Sequence, residues 1–239
     1  MLKGQKVTAV IPARKGSKGI PGKNQYKLGN DSLLERTIKI ALLCHYIDSV
    51  VVSTDCQEMY EVAKRFGCSM SRLRPAELAT DSAKTVDVVL DVVSQESVED
   101  GWVILLQVTS PLRRLSDLDM FCNRFEESSK LYNGAVSIVH FDSPHPDKIQ
   151  IIDGGSVRSY LGKESMVARQ SLPTVYALNG AFYLTSVKSL QESKSFLSGD
   201  IMPFVMPSER SVNLDTQDDL KYLEFLYSAD PSLVEEYDV

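Results

Sequence analysis

Cationic residues and glycines crowd one stretch near the start of the chain, Val7 to Asn24, which reads V-T-A-V-I-P-A-R-K-G-S-K-G-I-P-G-K-N. Arg14, Lys15, Lys18 and Lys23 stand there among Gly16, Gly19 and Gly22, with no acid in the window. Glycine lets backbone approach a ligand closely, exposed N–H groups make an anion-binding concavity, and cations add charge-assisted hydrogen bonds to phosphate oxygens. This chemistry suits a triphosphate cradle, with backbone from residues such as Gly16 and Ser17 and the main charges from Arg14 and Lys23. Lys15 and Lys18 read as solvated loop charges that steer an anion. Asn24, at the loop's end, offers both a donor and an acceptor.

Spacing excludes two common phosphate loops. A P-loop needs Gly five residues before the final Gly and Ser or Thr after the Lys, but Ser17 and Asn24 occupy those positions. A dinucleotide fingerprint needs G-x-G-x-x-G, and Gly16-Ser17-Lys18 breaks its first step. ATPase and dehydrogenase readings therefore drop. The bland alternative is an exposed turn that solvates itself; its place directly after a first buried strand favours a ligand site. Further along, Gln107 follows four apolar residues, Arg74 precedes a proline, and Asp215 ends an apolar segment. A hard cation on a triphosphate takes one or two carboxylates, so Asp215 suits Mg²⁺, whereas Asp219 fits a helix cap. His45, His140 and His145 have no partnered nucleophile, and no G-x-S-x-G occurs, so each histidine reads as structural.

R-K-G-S-K-G-I-P-G-K-N resembles the signature of the acylneuraminate cytidylyltransferase family, the CMP-sialic acid synthetases with their CMP-legionaminate and CMP-pseudaminate relatives. Further stretches are similar in order: L-R-P-A-E-L-A-T-D at 73 to 81, L-L-Q-V-T-S-P-L-R at 105 to 113, A-R-Q-S-L-P at 168 to 173, N-G-A-F-Y at 179 to 183 and L-D-T-Q-D-D-L at 214 to 220. The resemblance covers nearly the whole chain. It implies a magnesium-dependent homodimer in which the anomeric hydroxyl of a nonulosonic acid attacks the α-phosphate of CTP. It also implies that Asn24, Arg74 and Thr85 line the nucleotide pocket, Thr85 standing where the family often has Ser. Gln107, Arg169, Lys148 and Asn179 are implied at the acidic sugar, where a planar guanidinium suits a carboxylate. The chain departs from the family at Asn213-Leu214-Asp215, since D-x-D is frequent there; an amide at 213 can ligate but brings no charge. CMP-Kdo synthesis is the nearest alternative activity, and a non-catalytic nucleotide-binding module is an alternative of another kind.

The elements expected to carry these residues alternate as strand and helix. Apolar runs predict strands at Val7 to Ile11, Ser49 to Thr54, about 68 to 72, Trp102 to Leu106, Gly134 to His140, Asn179 to Leu184, an edge strand at Phe204 to Met206, and a last strand at Ser211 to Leu214. Helices are predicted from Leu33 behind a Ser32–Glu35 capping box, and at 58 to 66, 85 to 93, 116 to 127 and from Thr216 to about Tyr227. This describes an α/β protein with a doubly wound, mostly parallel, Rossmann-like sheet, in which ligands bind beyond the carboxyl ends of strands. Regular alternation stops between 141 and 176, where prolines at 144, 146 and 173 and the pair Gly154-Gly155 mark an excursion. The expected division is a nucleotidyltransferase domain of residues 1–140 and 177–239 with 141–176 inserted, and the resemblance implies that the insertion is a dimerisation arm.

Composition bounds the rest. The 239 residues include 43% apolar and 24% charged side chains, enough for a substantial core and unlike a disordered chain. A net charge of −6 disfavours a general nucleic-acid partner and makes the basic loop a local exception fit for a small polyanion. Cys44, Cys56, Cys68 and Cys122 are widely spaced and read as reduced core thiols. With no apolar run of membrane-spanning length and a polar start in place of a signal peptide, no membrane partner is expected and the cytoplasm is the expected location.

Overall fold

The computed structural model describes residues 1–163 and 166–239, with Arg169 described by its backbone alone. In chain order the strands are β1 (Val7–Pro12), β2 (Lys27–Leu28), β3 (Asp31–Ser32), β4 (Ser49–Ser53), β5 (Trp102–Leu105), β6 (Gly134–His140), β7 (Gln150–Asp153), β8 (Ser156–Ser159), β9 (Tyr176–Ser186) and β10 (Ile201–Met206). The helices are α1 (Leu33–Leu43), α2 (Gln57–Arg65), α3 (Thr85–Gln95), α4 (Leu115–Glu126), α5 (Val187–Ser193) and α6 (Gln217–Ala229).

Apolar side chains on both faces of a strand demand cover on both sides, and the sheet receives it. Along β1, Val7, Ala9 and Ile11 face one core while Val10 faces the other; along β5, Trp102 and Ile104 oppose Val103 and Leu105. The first core takes side chains of α1, α2, α4 and α6, among them Ile38, Met59, Phe121 and Leu223. The second is closed by α3 and α5 through Val89, Val93, Val187 and Leu190. Phe121 is its neighbours' hub, with ring centroids 5.2 Å from Phe182 and 5.6 Å edge-on from Phe204.

Six strands form the central sheet in the order β10-β6-β9-β5-β1-β4. β1 pairs in parallel with β4 and β5, and β10 with β6, giving the mostly parallel doubly wound sheet expected. β9 runs antiparallel to both β5 and β6. The cause is its connection: among the described residues no crossover helix separates β6 from β9, so the chain re-enters the sheet from the end at which it left. Between these strands β7 and β8 pair as a separate hairpin through Gly154 and Gly155, both at positive φ. Ile152 and Val157 on that hairpin are 83% and 70% exposed.

Two expected strands are absent. The one at 68 to 72 shrinks to a single bridge between Val51 and Ser69, because the Glu96 carboxylate takes the Ser71 N–H at 3.0 Å and ends the ladder. Ser211 to Leu214 forms no strand either; the Ser211 N–H is bonded within a turn to Ser208 and the Leu214 N–H reaches Thr109 in a loop, at 2.9 Å. β10 is longer than expected, since Pro203 is tolerated on an edge strand. The Ser32–Glu35 capping box and the Thr216–Asp219 box both form. Among the described residues, no helix is long and apolar enough to cross a membrane.

Phe182 of β9 is fully buried against Phe121. Phe182→Ala is expected to lower unfolding free energy by about 3–5 kcal/mol in urea titration, the cost of a buried aromatic truncation.

Candidate active site

The basic loop is fastened before any ligand arrives. Ala13 continues β1 by donating its N–H to Ser53, 2.8 Å, and the Lys15 N–H donates to Asp55 Oδ1 at 2.7 Å. Asn24 is nearly buried and donates Nδ2 to the Arg14 carbonyl at 2.8 Å, closing the loop on itself. Gly22 adopts φ 68° to start the turn that carries Lys23. At Gly19 the chain passes so near the segment before α6 that a Cβ would lie 1.8 Å from the Asp215 carbonyl oxygen. Glycine is required there by close approach.

Lys23 spans the join. Its Nζ donates to the Leu214 carbonyl at 2.5 Å and stands 3.7 Å from Asp215 Oδ1. Burial lowers the Lys23 pKa, and Asp215 opposes that shift. Arg74 comes in from the connection between α2 and α3, and its N–H donates to the carbonyl of Thr54, just beyond β4, at 2.7 Å. Its guanidinium donates to Ser53 Oγ at 3.0 Å and to the Ser53 carbonyl; burial pushes its pKa down to about 10, still charged at neutral pH.

These residues line one cleft of about 240 Å³ beyond the carboxyl ends of β1, β4 and β5. Arg14, Gly16, Ser17, Lys23, Asn24, Arg74 and Thr85 all meet there, together with Gln107. Thr85 opens α3. Apolar side chains, Leu78, Ala83, Val88 and Val108, also line the cleft. An acid that sequence reasoning missed also lines it: Asp81 lies 2.7 Å from an Arg14 terminal nitrogen and 2.6 Å from Lys18 Nζ. Lys18 is thus paired, though still exposed. Asp81 ends the L-R-P-A-E-L-A-T-D stretch, which was the available signal. Hydrogen bonds from Lys18 and Arg14 hold its carboxyl below the usual range.

Asp215 is exposed beside the cleft and accepts a 2.5 Å hydrogen bond from Asn213 Nδ2. Among the described residues no three carboxylate, His or Cys side chains cluster as a ready metal cage. A single carboxylate with a neighbouring amide oxygen fits a cation that keeps most of its ligands from phosphate and water. Asp219 spends its carboxylate on the N–H groups of Asp215 and Thr216, as a cap. Shortly before the Asn213 to Asp215 segment, the Arg210 guanidinium donates twice to buried Asp117 of α4, at 2.9 Å each.

The sequence-selected sugar residues divide. Gln107 reaches the cleft, and its amide oxygen lies against Gly180, where a Cβ would approach to 2.8 Å. Asn179 is 3% exposed, and its side chain is taken up by the frame: Oδ1 accepts from Ser137 Oγ and from the Ala181 N–H, and Nδ2 donates to Ser211 Oγ. It therefore stands behind the wall rather than in it. Lys148 is exposed in the turn Pro146–Lys148 and does not line this cleft. The Arg169 side chain lies outside the described residues.

A cationic, glycine-lined cleft at the carboxyl edge of a mostly parallel sheet, with apolar residues in its lining and exposed Asp215 beside it, is the site of a nucleotidyltransferase. The chain belongs to the cytidylyltransferase family, whose sequence model matches residues 8–148. It is 34% identical over 227 residues to CMP-N,N'-diacetyllegionaminic acid synthase of Legionella pneumophila, covering 92% of this chain and 96% of that protein. It is 32% identical over 217 residues to an N-acylneuraminate cytidylyltransferase of Streptococcus agalactiae, covering 90% of this chain and 51% of that protein, so it spans about half the streptococcal enzyme. The fold is shared with CMP:2-keto-3-deoxy-manno-octonic acid synthetase solved with CTP, at TM-score 0.68 and 17% identity, covering 94% and 99% of the two chains.

Gly19→Ala is expected to separate the loop from the Asp215 segment. CTP affinity measured by calorimetry should fall by roughly tenfold or more, the loss of one or two charge-assisted bonds, while far-UV circular dichroism stays unchanged.

Proposed function

We propose that this chain transfers CMP from CTP to the anomeric hydroxyl of a nonulosonic acid, releasing pyrophosphate. The observation that carries this reading is the convergence of Arg14, Lys23, Asn24, Arg74 and Gln107 on one cleft, in a chain whose close relatives are named as CMP-sugar-acid synthases. In the reaction the anomeric oxygen forms a bond to the α-phosphorus, the bond from that phosphorus to the bridging oxygen breaks, and the hydroxyl proton leaves to solvent. No protein nucleophile is needed, because positioning and charge neutralisation supply most of the rate. Arg14 and Lys23 would take the charge of the β- and γ-phosphates, and the Gly16–Ser17 backbone would turn N–H groups toward them. Arg74 would hold the nucleoside end, with Thr85 offering its hydroxyl and Gln107 facing the acceptor.

Asp215, with the Asn213 amide oxygen, would hold Mg²⁺. When bound, that ion adds positive charge at the triphosphate oxygens. Asn213 contributes no charge, which favours one firmly held ion over two. A homodimer formed through the 141–176 arm accounts for the exposure of Ile152 and Val157, which a second copy would cover, and would give Arg169 and Lys148 a sugar to contact. Unpaired Cys44, Cys56, Cys68 and Cys122 fit the reducing cytoplasm. CMP-Kdo synthesis has only the shared fold in its favour.

The test is pyrophosphate release from CTP and Mg²⁺ with N-acetylneuraminate, N,N'-diacetyllegionaminate, pseudaminate and Kdo offered separately. Release with a nine-carbon acid is expected; CTP binding without release from any acceptor would instead mark a nucleotide-binding module. Lys23→Ala and Asp215→Ala should each lower kcat/KM by about 100-fold or more, as loss of a preorganised charge does, with unchanged circular dichroism. Near-normal rates in both would remove the site assignment.

A further inference from the structure

Arg113 ends the L-L-Q-V-T-S-P-L-R stretch but has no part in the nucleotide cleft. Its side chain is 1% exposed, and among the described residues no carboxylate pairs with it. Its acceptors are uncharged: one terminal nitrogen donates to the Ala181 carbonyl at 2.9 Å, and the other to Thr37 Oγ1 at 3.0 Å and to the Gln107 carbonyl. Burial, with the like charge of Arg36 adding to it, pushes the Arg113 pKa down to about 9. A buried cation without a counter-ion is costly, and a leucine or methionine would fill a core site with less penalty. Its geometry shows what holds it there.

The two carbonyls flank the acceptor wall. Gln107 begins the turn after β5, and Ala181 follows Gly180, against which the Gln107 side chain lies. Ser110 adds a second tie, donating Oγ to the Asn179 carbonyl at 3.2 Å, and Leu214 a third, donating its N–H to Thr109 at 2.9 Å. Among the described residues only Arg113 contacts both sides and brings charge. Two donors of one planar fork join the Gln107 turn to β9, and a third, on Thr37 of α1, fixes the fork's orientation, which a flexible ammonium cannot do.

We propose that Arg113 is the positioning residue of the acceptor subsite, fixing the Gln107 turn against Gly180 with a positive charge left uncancelled so that the wall favours an acidic sugar. This rests on the activity proposed above. The field of an uncompensated buried cation is weakly screened, so it reaches a carboxylate at the wall more effectively than a surface lysine would.

The experiment compares Arg113→Lys and Arg113→Met with the wild-type enzyme by steady-state pyrophosphate release, with CTP binding followed separately by calorimetry. Arg113→Met should raise the KM for the acid acceptor by about 10- to 100-fold, the scale of hydrogen bonds to a charged group, with a smaller change in kcat and unaltered CTP affinity. Arg113→Lys keeps the charge and loses the fork, and should fall between the two; it decides the matter if the Met variant does not fold. In a Gln107→Ala background, Arg113→Lys should add little further, because its effect passes through Gln107. Acceptor KM unchanged in the folded variants, CTP affinity lost in parallel, or full additivity with Gln107→Ala would each overturn the proposal. An inactive wild type would overturn the activity itself, and this inference with it; an active wild type with indifferent Arg113 variants overturns only the inference.

Discussion

Positive charge has to be gathered at one edge of this sheet and kept available, although like charges repel and burial penalises them. The molecule meets that constraint by holding its cations on neutral oxygens. Lys23 rests on the Leu214 carbonyl, Arg74 on the Ser53 carbonyl and hydroxyl, and Arg113 on the carbonyls of Gln107 and Ala181. Carbonyl dipoles orient a guanidinium or ammonium without neutralising it, so the charge remains for an incoming anion. Acids enter sparingly: Asp81 between Arg14 and Lys18, and Asp215 at a looser distance from Lys23.

The same bonds do the work of assembly. Lys23 and Leu214 are 191 residues apart in sequence, and the Gly19 contact with Asp215 lies beside them. The basic glycine loop and the Asp215 carboxylate beside it are therefore one unit only in the folded chain. Antiparallel β9 completes the arrangement. Because it lies between β6 and β5, its Asn179-Gly180 turn falls beside the end of β5, where Gln107 begins, and this side of the cleft is built from two strands of opposite direction.

Local chemistry was legible from residue types alone. Glycines and cations after an apolar strand marked the loop that lines the cleft, and Ser32–Glu35 and Thr216–Asp219 marked helix starts, because such signals act within a few residues. Which distant segments close on that loop was not. Asp81 carries no periodic or spacing signal tying it to Arg14, and Asn179 looked like a ligand contact until its three hydrogen-bond partners, Ser137, Ala181 and Ser211, were brought around it by β6 and the segment before α6. The strands expected at 68 to 72 and 211 to 214 failed for a related reason: an apolar run makes a strand only if a neighbour offers a free ladder, and here Glu96 and the Thr109 loop took the N–H groups first. Sequence thus determined the loop, the alternating elements and their caps, since these depend on neighbours along the chain. Tertiary structure alone decided the direction of β9, the burial of Arg113 and the pairing of Asp81, since each depends on contacts between residues that only folding brings together.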